Sequence, residues 1–260
     1  MLKLLFGLSL LYELHGNSLA FRLGKIFGGN TTQVKNYSFL VNLRRGGNFR
    51  CGGVIISPSC VLTAAHCLEG RHQHLQDLTV HAQQQCLGDE TPPEHVRSAW
   101  YVGISTHYCR QRGLDSDLAV IRLKRAFDIS GNASFVKIDF NDLPRRANLT
   151  VMGWGAINEQ GHNWNQCLQE AKVQLISQKH CMKIMNSGQQ QVTNNMFCAL
   201  GENSKDACQG DSGGPIMHDD RSVGIVSWGY GCGSGYPGVY TRLSSPSITY
   251  WLKSFIERHC

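Results

Sequence analysis

A short glycine-rich stretch contains the residue of this sequence best suited to nucleophilic chemistry. Ser212 lies in the run QGDSGG at residues 209–214, where glycines on both sides let the backbone bend sharply and approach a ligand closely. The hydroxyl would therefore be exposed, with main-chain N–H groups near the atom that it attacks. A serine hydroxyl is a weak nucleophile at neutral pH and needs an adjacent base that a third group holds in place.

Two upstream stretches could supply these partners. His66 stands in Thr63-Ala64-Ala65-His66-Cys67, and Asp117 directly precedes the apolar run Leu118-Ala119-Val120. Asp115 is a competitor for the acidic role. We prefer Asp117 because the apolar run marks it as the last residue before a buried strand. Taken alone, QGDSGG could be a simple glycine-rich turn. Chance does not readily explain the presence of all three motifs in the order His, Asp, Ser.

The three motifs resemble those of the trypsin/chymotrypsin family of serine endopeptidases, and the resemblance extends from Ile26 to Cys260. It implies an all-β fold of two six-stranded antiparallel β-barrels of the chymotrypsin type with a C-terminal α-helix. The active site would lie in the cleft between the barrels, with a crossover between residues 129 and 148.

The resemblance also implies a role for each motif residue. Ser212 would attack the scissile carbonyl, His66 would accept and then return the proton, and Asp117 would orient the imidazole. The backbone N–H groups of Gly210 and Ser212 would form the oxyanion hole.

Substrate preference is expected from the residue six positions before the nucleophile, Asp206. In family members with aspartate here, a carboxylate at the base of a narrow slot binds the Arg or Lys side chain that precedes the cut. Gly229 and Gly238 match the two walls of that slot, and Ala207 replaces a serine, which favours Arg over Lys. Ser227-Trp228-Gly229 matches the segment that bonds the aspartate and pairs with the substrate backbone.

The first residues read as targeting and processing segments. Residues 1–20 have a basic start, an apolar run and small residues at a cleavage position, as in a secretory signal peptide. Residues 21–25 would be an activation propeptide and residues 26–260 the protease domain. By resemblance, a cut after Lys25 would free the Ile26 ammonium to pair with Asp211. We therefore expect a secreted zymogen that an activating protease cuts.

The eleven cysteines of an exported chain indicate disulfide bonds. The resemblance implies three: Cys51–Cys67, Cys181–Cys198 and Cys208–Cys232. Five cysteines remain, so at least one is free or pairs with another chain.

Two further bridges are expected among these five. The resemblance puts position 60 near the C-terminal helix, so we expect Cys60 to bond Cys260. We expect Cys86 to bond Cys109, since both fall in surface loops of the first barrel, and Cys167 is then left over.

Short apolar runs bounded by Gly, Pro, Asn and Asp indicate many short strands, as in a barrel or sandwich. They cover residues 39–43, 53–56, 78–82, 118–123, 150–154, 172–176, 214–217, 222–228 and 238–241. Only residues 247–256 show helical spacing, with Ser245 or Ser247 as the N-cap.

The formal net charge of +6 comes without a basic run or an interleaved aromatic stripe, which argues against nucleic acid as a partner. No stretch after the signal segment is long and apolar enough for a membrane anchor. His72 and His74 are only suggestive of a zinc site. The loop at residues 81–86, where calcium-binding relatives carry acidic ligands, has no carboxylate, so we expect no metal and no cofactor.

The expected partners are polypeptide substrates and protein protease inhibitors, and the chain is expected to be a monomer. Two rival interpretations remain. A catalytically inactive homologue acting as a binding module would have lost a triad residue, and none is missing here. A chymotrypsin-like enzyme with apolar preference is opposed by Asp206. The Asn-x-Ser/Thr sequons at Asn30, Asn36, Asn132 and Asn148 fit an exported glycoprotein.

Overall fold

The computed structural model describes residues 29–70, 75–128, 133–156, 167–186, 190–202 and 207–260. The expected signal peptide, the Lys25-Ile26 junction, His72, His74, Asn132 and Asp206 lie outside these ranges. Within them, no helix is long and apolar enough to cross a membrane.

Short strands account for most of the regular secondary structure among the described residues, as the short apolar runs predict. The strands are β1 (Asn30–Thr31), β2 (Leu40–Arg45), β3 (Asn48–Ser57), β4 (Cys60–Thr63), β5 (Leu78–Ala82), β6 (Val96–Ile104), β7 (Ala119–Leu123), β8 (Lys137–Ile138), β9 (Asn148–Gly153), β10 (Gln169–Leu175), β11 (Met196–Leu200), β12 (Pro215–His218), β13 (Arg221–Trp228) and β14 (Gly238–Arg242).

These strands form two closed barrels of six antiparallel strands each. The first has the order β2-β3-β4-β7-β6-β5 and closes because β5 pairs with β2. The second has the order β9-β10-β11-β14-β13-β12 and closes because β12 pairs with β9. β1 extends the second sheet beside β10, and β8 adds to β13 in parallel. The expected fold class is therefore confirmed, and the chain crosses between barrels within residues 124–147.

The structure contains two α-helices among the described residues, where the sequence predicted only the last one. Helix α1 (Gln178–Met185) begins after Ser177, whose Oγ accepts a hydrogen bond from the His180 N–H. It is only eight residues long and buries just Cys181 and Met185. So short a helix shows too little of the 3.6-residue period to be recognised in the sequence.

Helix α2 (Pro246–His259) ends the chain and packs against both barrels. It begins after Ser245, with proline at its first position. Its buried face shares one apolar cluster with residues from both halves of the chain, including Leu62 and Trp154. The residues of that face are Ile248, Trp251, Leu252 and Phe255. Burial of these large side chains supplies most of the helix's stability.

Five disulfides are present, and one predicted pairing is wrong. The bridges are Cys51–Cys67, Cys60–Cys260, Cys86–Cys167, Cys181–Cys198 and Cys208–Cys232. The expected Cys86–Cys109 pair does not form, because Cys86 lies opposite Cys167 in an antiparallel bridge between the barrels. Cys109 is the free cysteine. Cys109 is nearer to Cys86 in the sequence than Cys167 is, but distance in space decides which cysteines pair.

Candidate active site

His66 stands at the rim of the first barrel, in a 3₁₀ turn formed by Ala65–Cys67 directly after β4. The Cys51–Cys67 disulfide fastens this turn to β3. The backbone N–H of His66 donates to Asp117 Oδ1 at 2.9 Å. Two neighbouring elements therefore fix the backbone of this residue before its side chain makes any contact.

The carboxylate of Asp117 lies at the centre of a hydrogen-bond network and is fully buried. Its Oδ2 accepts from His66 Nδ1 at 2.7 Å and from the Ser227 hydroxyl at 2.6 Å. Its own carbonyl accepts from Thr241 Oγ1 at 2.9 Å. Ser227 and Thr241 belong to the second barrel, so donors from both barrels hold one buried anion in position.

The competing carboxylate, Asp115, does not contact His66. Its Oδ1 accepts from Thr193 Oγ1 at 2.6 Å and from Asn195 Nδ2 at 3.0 Å. It therefore fastens the loop before Asp117 to the second barrel. The geometry assigns the contact with the imidazole to Asp117, the residue that the apolar run favoured.

The pKa of His66 is raised above its ordinary value by its surroundings. Burial alone lowers the pKa, but the charge of Asp117 and the hydrogen bond to it outweigh burial. Because Nδ1–H donates to Asp117, the neutral ring presents Nε2 as a proton acceptor. The environment therefore makes this imidazole a stronger base than a free histidine.

Ser212 is half-buried at the start of the second barrel's cavity, and its carbonyl accepts from the Gly52 N–H at 2.8 Å. The side chains of Ser212 and His66, both among the described residues, do not form a hydrogen bond with each other. The nearest recorded partner of His66 Nε2 is Cys67 Sγ, at 3.8 Å. Catalytic hydrogen bonds are commonly long in a ligand-free protein and shorten when substrate binds.

Two backbone amides in the turn that carries Ser212 remain open. Within the described part of the chain, the N–H groups of Gly210 and Ser212 donate no hydrogen bond, whereas those of Asp211, Gly213 and Gly214 do. Gly210 has φ +94°, a conformation that side chains other than hydrogen rarely allow. An added Cβ there would also lie 3.0 Å from the Phe49 ring. The turn therefore keeps two donors free to receive an oxyanion.

Asp211, next to Ser212, is completely buried. Its two carboxylate oxygens accept from the Gly155 N–H and the Cys208 N–H, each at 2.8 Å. Burial raises its pKa to about 6, although both amide hydrogen bonds act in the opposite direction. A Cβ on Gly155 would lie 2.4 Å from this carboxylate, so glycine is needed for the close approach.

A cavity of about 220 Å³ opens beside Ser212. Segment 226–229 forms one wall, the Cys208–Cys232 bridge borders it, and Gly229 faces Gly238 with only 3.9 Å between a built Cβ and the opposite Cα. Ala207 and Trp228 also line it. Of the residues predicted to bind substrate, all line this cavity except Asp206, which lies outside the described residues together with Lys25 and Ile26.

Residues 83–87, directly after β5, contain no carboxylate and are organised around a basic side chain. Arg44 projects into this loop and donates to Gln84 Oε1 at 2.9 Å, to the Leu87 carbonyl at 2.8 Å and to Asn42 Oδ1 at 3.1 Å. A guanidinium thus takes the oxygens that a hard cation would need, and its charge repels a divalent ion. The absence of bound metal stays a prediction.

Among the described residues, Cys51, His66 and Cys67 form one group of side chains close enough together to be considered as metal ligands. The two sulfurs are bonded to each other. They therefore supply no thiolate to a metal.

Sequence reasoning missed Thr241 as part of the site. It lies in β14, 124 residues after Asp117, and the apolar run at 238–241 predicts the strand but does not mark this hydroxyl as part of the site. Only the closure of the second barrel brings its hydroxyl to the Asp117 carbonyl. Such a residue has no signal in a single sequence.

Comparison with known proteins agrees with this geometry. The Trypsin family model matches residues 26–252. Trypsin 5G1 of Aedes aegypti is 36% identical over 236 residues, covering 88% of this chain and 84% of that protein. Trypsin alpha of Drosophila melanogaster is 33% identical over 227 residues, covering 85% and 84%.

A solved structure shares the fold as well as the sequence pattern. It is described as neuropsin, a serine protease expressed in the limbic system of mouse brain. It superposes with a TM-score of 0.77 at 28% identity and covers 88% of this chain and 98% of that chain. With two closed barrels and a family match over most of its length, the chain belongs to the Trypsin family and is a trypsin-like serine endopeptidase.

Proposed function

We propose that this protein is a secreted serine endopeptidase, made as an inactive precursor, that hydrolyses peptide bonds after Arg and Lys. Ser212 is the nucleophile, His66 the general base and acid, and Asp117 the residue that orients His66. The proposal rests above all on one observation: a buried Asp117 carboxylate accepts from His66 Nδ1 at 2.7 Å, beside the cavity that Ser212 lines.

The proposed reaction uses these groups in two steps. His66 Nε2 takes the proton from Ser212 Oγ as that oxygen bonds to the carbonyl carbon, and the carbonyl oxygen becomes an anion that the two open amides bind. The imidazolium then protonates the departing amine, leaving an acyl-enzyme. Water, deprotonated by the same nitrogen, releases the acid and restores Ser212. Asp117 stabilises the imidazolium through its hydrogen bond to His66 Nδ1.

The preference for basic side chains is assigned to Asp206 by its position in the sequence. The cavity walls support this assignment, since Gly229 and Gly238 leave the slot open to a long side chain. The alanine at 207 gives an ammonium one hydroxyl partner fewer, so Arg is expected to be preferred to Lys.

Activation is assigned to a cut after Lys25. The burial of Asp211 supports it: no cation among the described residues lies against this fully buried carboxylate, which would gain from a new ammonium. The five disulfides support export, since such bonds persist in oxidising compartments.

The experiment is a cleavage profile of the protein after its cut at Lys25. A library of peptides that vary at the residue before the scissile bond is incubated with the wild type, Ser212→Ala and Asp206→Ser. We expect Arg and Lys to dominate with the wild type and Ser212→Ala to be inactive. Asp206→Ser should lose that preference while still cutting other peptides, because its triad is intact.

Two results would contradict the proposal. Hydrolysis that persists in Ser212→Ala would place the nucleophile elsewhere, and absence of hydrolysis in the cut wild type would favour the binding-module alternative. Unchanged kcat/KM for arginyl peptides in Asp206→Ser would mean that another carboxylate reads the side chain.

A further inference from the structure

A cluster of three polar side chains lies beside His66 and takes no part in the chemistry above. Oε2 of Glu69 accepts from the Tyr108 hydroxyl at 3.1 Å and from Arg110 Nη1 at 2.5 Å. We call these three residues the Glu69 cluster. None of them belongs to a motif recognised in the sequence.

The Glu69 cluster joins the two segments that carry the imidazole and its carboxylate partner. Glu69 follows Cys67, the last residue of the 3₁₀ turn that holds His66. Tyr108 and Arg110 lie in the loop between β6 and Asp117. The contacts span 39 and 41 residues of sequence, so they fix the distance between two segments that are not neighbours along the chain.

Stability alone is a weak reason for this arrangement. The side chain of Glu69 is 33% exposed and that of Arg110 is 64% exposed, and ion pairs so open to solvent contribute little to folding. Tyr108 is different, because its ring packs with Cys67 and Ile104 against the core of the first barrel. Its hydroxyl therefore presents a fixed donor to Glu69.

The cluster also lies within electrostatic reach of the active site. The charged groups that act on His66 are Asp117 and Glu69, which raise its pKa, and Arg110, which lowers it. Burial raises the pKa of Tyr108, followed by the nearby charge of Asp117 and the bond to Glu69. The Glu69 cluster therefore interacts electrostatically with both His66 and Asp117.

We propose that Glu69 is a positioning residue for peptide hydrolysis: by binding Tyr108 and Arg110 it holds the histidine segment against the aspartate segment and so fixes the direction of the His66 ring. This inference rests on the proposed function. Glu69 touches neither substrate nor Ser212; it acts through His66. The cost of losing it should therefore appear in kcat rather than in KM.

Steady-state kinetics on the cut protein test this role. The variants are Glu69→Gln, Tyr108→Phe and the double variant, each of nearly unchanged shape. We expect each single change to lower kcat about three- to tenfold with KM within about twofold. The double variant should be no worse than the more severe single one, since both remove the same contact.

The chain supplies a matched control. The Tyr37 hydroxyl donates to Glu170 Oε2 at 2.5 Å in another part of the molecule, and Tyr37→Phe removes an equivalent tyrosine–glutamate bond. We expect it to leave kcat within about twofold of the wild type. An equal loss in Tyr37→Phe would mean that the effect is general destabilisation, and would overturn the proposal.

The pH dependence gives a readout that a purely structural contact would not move. Glu69→Gln removes a negative charge near His66, so the acid limb of kcat/KM should move to lower pH. Arg110→Gln removes a positive charge and should move it to higher pH. An acid limb in Glu69→Gln that matches the wild type would refute the inference.

The inference can fail separately from the proposed function. NMR titration of His66 in a Ser212→Ala background measures the effect of Glu69→Gln without any turnover. A lowered imidazole pKa there supports the cluster's coupling to His66 even if the wild type hydrolyses nothing, whereas an unchanged pKa overturns it even in an active enzyme.

Discussion

At the scale of single residues, His66 and His81 show how surroundings decide what an imidazole can do. Burial lowers the pKa of both. Around His66 the Asp117 carboxylate more than compensates, and the pKa rises. Around His81 the neighbouring charge is Arg44, which adds to burial and lowers the pKa to about 4. Only the first histidine is suited to accept a proton from a hydroxyl near neutral pH.

NMR titration of both imidazoles checks this contrast. In a Ser212→Ala background, which prevents self-digestion, we expect His66 to titrate above 6.5 and His81 near 4. Asp117→Asn should lower the pKa of His66, because the attractive charge is gone, and leave His81 unchanged. A His66 pKa that does not respond to Asp117→Asn would contradict the assignment of its partner.

At the scale of elements, the loop after β5 is organised by a side chain of β2. Arg44 reaches across the pair β2–β5 and binds oxygens of Gln84 and Leu87, while Gln84 Nε2 donates to the Asp89 carbonyl at 2.6 Å. The Cys86–Cys167 bridge then holds the loop against the second barrel. The Arg44 guanidinium and the disulfide therefore hold this loop in place, a task that a bound cation performs in other loops.

Arg44→Ala should therefore destabilise the protein by roughly 1–3 kcal/mol, since the Leu87 carbonyl loses its Arg44 donor and Gln84 Oε1 keeps only the Asn42 amide. Urea unfolding of the Ser212→Ala precursor measures this, with Arg258→Ala as the control, because Arg258 bonds only Ser254 of its own helix among the described residues. Wild-type stability should be the same in calcium and in a chelator. A calcium-dependent wild type would disprove the role given to Arg44.

Some elements could be predicted from the sequence and others could not, for identifiable reasons. The nucleophile and histidine segments are local motifs, so their residues identify them directly. Strand β6 was missed because a bulge between Ala99 and Tyr101 interrupts its alternation and exposes both Trp100 and Tyr101. The partner of Cys86 and the Glu69 cluster depend on contacts between distant segments, which periodicity does not report.

At the scale of the whole molecule, neither barrel contains a complete site. The first supplies His66 and Asp117, and the second supplies Ser212, Ser227 and Thr241. Asp211 lies in the same turn as Ser212, and backbone amides hold its carboxylate. Because these amide bonds to the carboxylate hold the turn, protonation of Asp211 makes the stability of the turn depend on pH.

Stability of the uncut precursor should fall as pH rises through about 6. Asp211 has a folded pKa of about 6 against an ordinary 3.8, so between those values the folded state holds a proton that the unfolded state has lost. The loss approaches something on the order of 3 kcal/mol at neutral pH. Urea unfolding from pH 4 to 7, compared between Ser212→Ala and Ser212→Ala/Asp211→Asn, isolates this contribution. A difference that stays constant with pH would refute it.

The proposed cut should be needed for activity. Lys25→Gln removes the basic residue before the junction, so the precursor should stay intact and hydrolyse no arginyl peptide. Lys35→Gln, ten residues later and exposed, is the control and should be cut and activated normally. Mass spectrometry and a hydrolysis assay follow both. Full activity in an uncut Lys25→Gln chain would disprove activation by the new N-terminus.

The Cys60–Cys260 bond gives the chain a covalent topology of its own. It closes residues 60–260 into a single ring, and Cys51–Cys67 attaches the preceding strand to it. One peptide bond broken anywhere inside that ring opens it but releases nothing until the sulfurs are reduced. No cysteine precedes Cys51, so a cut after Lys25 frees residues 1–25 at once. A chain with this topology would lose residues 1–25 on a cut after Lys25 and would remain one covalent molecule after a single nick inside the ring.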